Sequence, residues 1–210
     1  MALKSESISN KLLFLIYGQI GCVLIGAVRS ILELTSPDIH AKYSLGFGIC
    51  AAVLACIILA LFVVVPIWIY RVHKDMCGMF ADYPITPGKS MKMTLIPIYN
   101  AWGFWKMAKE LYDTFRFHGL SLKFGPFDLQ SLYILVAVLG AVDQQMTKFS
   151  VGQSYELMSL QNKLIYEITY SAVSLSATAL WYIIVNLVAK GLAHLHEEMS
   201  PNPSLPPLTT

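Results

Sequence analysis

The chain alternates long apolar runs with polar breaks on the scale of a bilayer rather than of a soluble core. Four runs stand out, over residues 12–34, 45–70, 129–147 and 164–189. A helix needs about 20 mainly apolar residues to cross the hydrocarbon core. Runs of this length without period-two alternation predict helices rather than strands. The third run is the shortest and ends in Asp143, Gln144 and Gln145. The predicted fold class is all-α: a polytopic membrane helix bundle with about four transmembrane helices, forming a single membrane domain over residues 1–199. Residues 200–210 hold four prolines and predict a disordered tail.

Between the second and third runs the pattern changes. The second helix is expected to continue through Arg71 and Met76 toward Phe80, and the chain to break around Asp82, Pro84, Pro87 and Gly88. Residues 91–99 are apolar but too short to span, with Pro97 interrupting them, so they predict a short interfacial or re-entrant element. Residues 100–117 then show a helical period. Trp102, Trp105, Ala108, Leu111, Tyr112 and Phe115 recur at spacings of three and four, while Lys106, Lys109, Glu110, Asp113 and Arg116 fall mostly on the remaining surface. Lys106 with Glu110, and Lys109 with Asp113, have the spacing of surface ion pairs. The segment 87–117 thus predicts an amphipathic cytoplasmic interfacial helix, flat on the leaflet or packed on the extended second helix. Trp102, Trp105, Lys106, Lys109, Tyr112 and Phe115 are its lipid-contacting or interface residues. A partner-binding or headgroup site is the alternative reading of the same face.

Composition supports the membrane reading: 56% of the 210 residues are hydrophobic and 13% charged, where soluble domains carry about a quarter charged residues. A net charge of +2 makes no case for nucleic acid. The placement of the cations says more. Lys4, Lys11, Arg71, Lys74, Lys89, Lys92, Lys106, Lys109, Arg116, Lys123 and Lys190 fall on one side of the predicted spans; Arg29, Lys42, Lys148 and Lys163 fall on the other. That asymmetry predicts both termini and the central connection in the cytoplasm. Cys22, Cys50, Cys56 and Cys77 match no zinc or redox spacing.

The central stretch also resembles an uncharacterised bacterial family of four-span membrane domains of unknown function. The resemblance rests on Trp68 and Arg71, the Pro87–Gly88 turn, Ile96 and Pro97, Asn100 and Trp102, then Met107 and Glu110, and covers about residues 65–115. Asp75 stands where that pattern carries asparagine, and Lys106 lies near a position often held by proline. The resemblance implies the fold and no chemistry.

Ionisable residues inside spans are costly and each prompts a functional hypothesis. Arg29, Glu33, Asp143 and Glu167 fall at similar depths and predict an intramembrane polar layer near the outer leaflet. It would be an ion, proton or headgroup site, or a set of interfacial charges that pair and snorkel. Asn186 reads as an interhelical hydrogen-bonding residue. His73 and His194 each follow a span on the cytoplasmic side, and His196 lies close by, so a shallow haem or metal site there is a further expectation. The helix dipole alone also favours such residues at a helix C-terminus. No catalytic residue is assigned: nucleophile, phosphate-loop and zinc-helix motifs are missing from the sequence. Small residues at Gly18, Gly21, Gly26, Gly46 and Gly48 suit close helix contact, within the bundle or with another membrane protein or a second copy. The leading expectation is an integral membrane accessory, scaffold or assembly subunit without its own catalysis. A small transporter or lipid-handling protein using the polar layer is second, and a membrane haem or metal protein third.

Overall fold

A computed structural model describes residues 3–95, 97–150 and 152–199; the tail from residue 200, expected to be disordered, lies outside the described residues. The chain folds as α1 (Glu6–Thr35), α2 (Pro37–Met79), α3 (Pro87–Leu95), α4 (Pro97–Phe117), β1 (Lys123–Phe124), β2 (Phe127–Asp128), α5 (Leu129–Ser150), α6 (Gln153–Glu156) and α7 (Leu160–Met199). Three of these helices, α1, α2 and α7, are long and apolar enough to cross a membrane. The expected third run forms α5, a helix of 22 residues, but it is not among those three. Asp143, Gln144 and Gln145 dilute its C-terminal third.

The helices overrun the apolar windows that predicted them. Ser36 alone separates α1 from α2, because Pro37 sits at the first helical position, where its missing N–H costs nothing. The second helix therefore starts eight residues before the predicted 45. At 43 residues α2 is about 65 Å long, twice the thickness of a hydrocarbon core. The expected break falls over residues 80–86, which hold Asp82 and Pro84, whereas Pro87 and Gly88, expected within it, open α3. Pro97 likewise opens α4 rather than interrupting a short apolar element.

The packing is open at one end and closed at the other. Along their length the long helices lie in the order α2, α1, α7, α5, with α1 between α2 and α7 and α5 against the far side of α7. At one end α3 packs on α2, α4 on α3, and α4 on α5, which completes the ring. The buried core sits at this closed end. It holds Trp68, Val72 and Met76 of α2, Met107, Leu111 and Phe115 of α4, Leu129 and Leu132 of α5, and Val188, Leu192 and Leu195 of α7. Gly191 is what lets α4 come close to α7. A Cβ there would lie 2.9 Å from Leu122 Cδ2 and 3.0 Å from Phe115 Cε1.

Toward the open end the apolar side chains face outward. The most apolar stretch of α2 has no buried residue, and Leu45 and Phe62 are each 79% exposed. An apolar surface of that extent is explained by lipid, since water penalises it. Of the small residues expected to seat helix contacts, Gly18 meets Ile57 on α2, whereas added Cβ atoms at Gly21, Gly26, Gly46 and Gly48 would meet nothing within 4 Å.

The hairpin of β1 and β2 was not legible as strand. Its two pairs, Lys123 with Asp128 and Phe124 with Phe127, are joined by Gly125 and Pro126. Gly125 supplies the positive φ of 59° that the tight turn requires. Asp128 then starts α5 by accepting the Ser131 N–H at 2.7 Å, and this bond holds its carboxyl below the usual carboxylate range.

Candidate functional site

The geometry concentrates three sets of functional candidates: a groove between the spans, the outer polar residues, and the collar formed by α3 and α4.

The groove exists because α2 and α5 are held apart at the open end by α1 and α7 while α3 and α4 close the other end. It encloses about 600 Å³. Leu54, Ile58, Leu61, Phe62 and Val65 of α2 form one wall, and Leu12, Ile16, Gln19 and Val23 of α1 continue it. Tyr170, Ser174, Ala177, Thr178 and Trp181 of α7 line the opposite side, with Asp143 of α5 among them. Thr94, Leu95 and Phe104 cross its closed end. The lining is mainly aliphatic and aromatic, with a few convergent polar groups, as in ligand cavities of about 300–1,000 Å³.

Asp143 is the one ionisable carboxyl in that lining. The Ser174 hydroxyl donates to Asp143 Oδ1, and Ser174 is held one turn below Thr178, whose Oγ1 donates to the Ser174 carbonyl at 2.8 Å. Among the described residues no protein donor reaches Asp143 Oδ2. Tyr170 shares a 3.3 Å hydrogen bond with Thr147 beside it.

The expected polar layer divides into separate contacts. Glu33 lies 3.9 Å from Arg29 Nε and 3.8 Å from His40 Nε2, at the α1–α2 turn. Glu167 accepts the Tyr155 hydroxyl at 2.7 Å, while Asp143 turns into the groove. Tyr155 of α6 links the first two groups electrostatically. Burial, its bond to Glu167 and the charges of Glu167 and Glu33 all raise its phenol above the usual value. Asp143 is thus the one member of the predicted layer that lines a cavity.

The collar is rearranged relative to the sequence pattern. Met107, Ala108, Leu111 and Phe115 turn into the core, and Tyr112 is half-buried against it. Phe115, expected at a lipid interface, is 0% exposed because it packs on Gly191 of α7. Trp102 and Trp105 point the other way, exposed at 52% and 38%. Lys106 and Lys109 lie over their rings, 5.1 Å and 5.8 Å from the centroids. They make no ion pair with Glu110 or Asp113 among the described residues. The ring faces, within reach of the long lysine stems, attract the cations instead.

The residues behind the family resemblance are mostly structural. Trp68 is buried, and its Nε1 donates to Ser9 Oγ at 3.0 Å. Arg71 is half-buried, Pro87 is the first residue of α3, Gly88 is exposed, and Glu110 is half-buried on α4. The side chains of Pro97 and Asn100 lie outside the described residues. His73 is buried with its Nδ1 2.7 Å from the Tyr83 hydroxyl. His194 lies 3.7 Å from Glu198, one turn along its own helix, and His196 is half-buried. Among the described residues no three His, Cys, Asp or Glu side chains group as metal ligands. The groove itself was missed by sequence reasoning, since its walls come from four helices and only Asp143 signalled it.

No family model matches the chain, and comparison with curated proteins and with solved structures gives no significant match.

Proposed function

We propose that this chain is a four-span protein of the bacterial inner membrane that takes a lipid-like amphiphile laterally into the groove between α2 and α5. The observation that carries the reading is the groove itself: an apolar cavity of about 600 Å³ lined by α1, α2 and α7, into which Asp143 of α5 reaches. Apolar cavities inside a membrane region exchange with lipid rather than with water. As the fourth span, α5 is about 33 Å long and presents Ile134, Val138 and Val142 outward. The lysine and arginine distribution supports cytoplasmic termini, with α3 and α4 as a collar on the cytoplasmic leaflet. The outward Trp102 and Trp105, each beside a lysine, fit that interface.

Ala177 lines the groove, and Ala177→Phe fills it without touching the closed-end core. Lipid extracted from the purified wild-type protein, measured by mass spectrometry, should exceed that from Ala177→Phe at equal folded protein. Equal amounts from the two would end the lipid-handling reading.

A second reading, an accessory or assembly subunit without its own catalysis, is favoured by aromatic side chains exposed beyond the spans. Phe117 is 86% exposed, Phe124 52% and Phe127 46%. Cross-linking from Phe124 in native membranes tests it: adducts to one recurrent membrane protein support the subunit role, and adducts to lipid alone oppose it.

A further inference from the structure

We infer that the groove selects an amphiphile whose polar end is a hydrogen-bond donor, an alcohol or an amine, seated on Asp143. The inference rests on the lipid-handling reading and adds the placement of the ligand and the chemistry of its head.

Shape comes first. The groove follows α2 from Leu54 to Pro66 and α7 from Tyr170 to Trp181, a run of about 18 Å at 1.5 Å per residue. Its length and mainly apolar lining suit an extended hydrocarbon chain.

Polarity follows from what lines each end. Asp143 and Tyr170 mark one end and Thr94, Leu95 and Phe104 the other, with mainly apolar side chains between. Asp143 lies about 21 Å along α5 from Leu129 and about 10 Å from Ser150, so it stands within the outer half of the span. A ligand head at Asp143 with its chain directed toward the collar matches the way a lipid of the outer leaflet is oriented.

Charge decides the head. No Lys, Arg or His lines the groove, and its one carboxyl is that of Asp143. Ser174 satisfies Oδ1, and Oδ2 has no protein donor among the described residues. The site offers a partly buried acceptor among mainly apolar side chains, where a hydrogen bond is stronger than in water. A donor head completes it. A carboxylate or phosphate head would find no cation and would face an acidic side chain.

The test uses the full chain, delipidated in mild detergent, with dodecanol, dodecylamine and dodecanoate as probes and native mass spectrometry as the readout. Dodecanol and dodecylamine should bind, and dodecanoate should bind at least about tenfold more weakly, the scale of a hydrogen bond to a charged group. Stronger binding of dodecylamine than dodecanol identifies an amine head, and the reverse an alcohol; either order supports a donor. Asp143→Asn should narrow the dodecylamine-to-dodecanoate ratio by about tenfold, and Ser174→Ala, which frees Oδ1, should keep the preference for donors. Dodecanoate binding as well as dodecylamine to the wild type overturns the head assignment while leaving the groove a lipid site. No binding of any probe, or binding unchanged in Ala177→Phe, overturns the lipid-handling reading itself. The wild-type series decides the head chemistry even if Asp143→Asn fails to fold.

Discussion

The carboxyl group of Asp75, near the end of α2, caps the first helix of the chain by accepting the Ser5 N–H at 2.8 Å. It also accepts the Lys4 N–H, at 3.2 Å. Ser5 makes no side-chain cap of its own, so the open N–H groups at the start of α1 are served by a residue some 70 positions away. The contact continues through Ser9, whose hydroxyl donates to the Ser5 carbonyl at 2.9 Å and accepts from Trp68. Asp75 and Trp68 thus anchor α1 on α2 at the closed end, where the groove terminates.

Asp75→Ala should therefore destabilise the protein by about 1–2 kcal/mol, the range of a lost N-cap. Asp75→Asn keeps an acceptor and should lose less. Thermal unfolding in detergent, followed by circular dichroism, ranks the three proteins; equal midpoints for Ala and Asn would show that the cap is idle.

Tyr83, in the turn after α2, and His73 of α2 form a buried pair at 2.7 Å. Burial, with the nearby charges of Cys77, Glu110 and Tyr133, raises the Tyr83 phenol well above 10. The neutral phenol is favoured only in the folded state. Its contribution is fully present below pH 10 and is lost as pH rises above that value, where the unfolded chain releases the proton first. Stability of the wild type should fall more steeply above pH 10 than that of Tyr83→Phe. At neutral pH, Tyr83→Phe should cost about 1–3 kcal/mol because His73 loses its buried partner. Parallel curves above pH 10 would contradict the linkage.

Gly191 sets the separation of α4 and α7. Adding a side chain should push Phe115 and Leu122 off their seats, at about 1–3 kcal/mol for Gly191→Val. Gly21→Val, at a site with nothing within 4 Å, should be close to neutral. Comparable losses at the two positions, measured as unfolding midpoints, would exclude close packing as the cause.

Brominated lipids can locate the tryptophans. In variants that keep a single tryptophan, Trp102 and Trp105 should be quenched most by bromines placed near the headgroups. Trp68, at 1% exposure, should resist quenching at every depth. Quenching of Trp68 above that of Trp102 would mean that the collar does not lie on the membrane surface.

Much of the local structure was already legible. Apolar length alone marks α1, α2 and α7, since a helix must satisfy its backbone within itself wherever water is absent. The period of three and four from Trp102 to Phe115 marks α4. Pro87 and Pro97 were legible as boundaries but not in their sense: both start helices, as Pro37 does, because a proline is compatible with the first turn.

Tertiary structure decided which face of each helix is used. The stripe on α4 contains both Trp105 and Phe115, and nothing in its spacing says that Phe115 goes inward; the space left by Gly191, some 75 positions later, does. Asp143 looked like one of four equivalent charges until Glu33 was drawn to Arg29 and His40, and Glu167 to Tyr155. The groove has no signature of its own. It is the gap left when α1 and α7 pack together and α3 and α4 tie α2 to α5 at one end only. Sequence by itself determined that this chain makes long apolar helices, because hydrophobic length is a local property. Only the packing determined that those helices enclose a cavity with one carboxyl in it, because a cavity is a relation among elements distant in the chain.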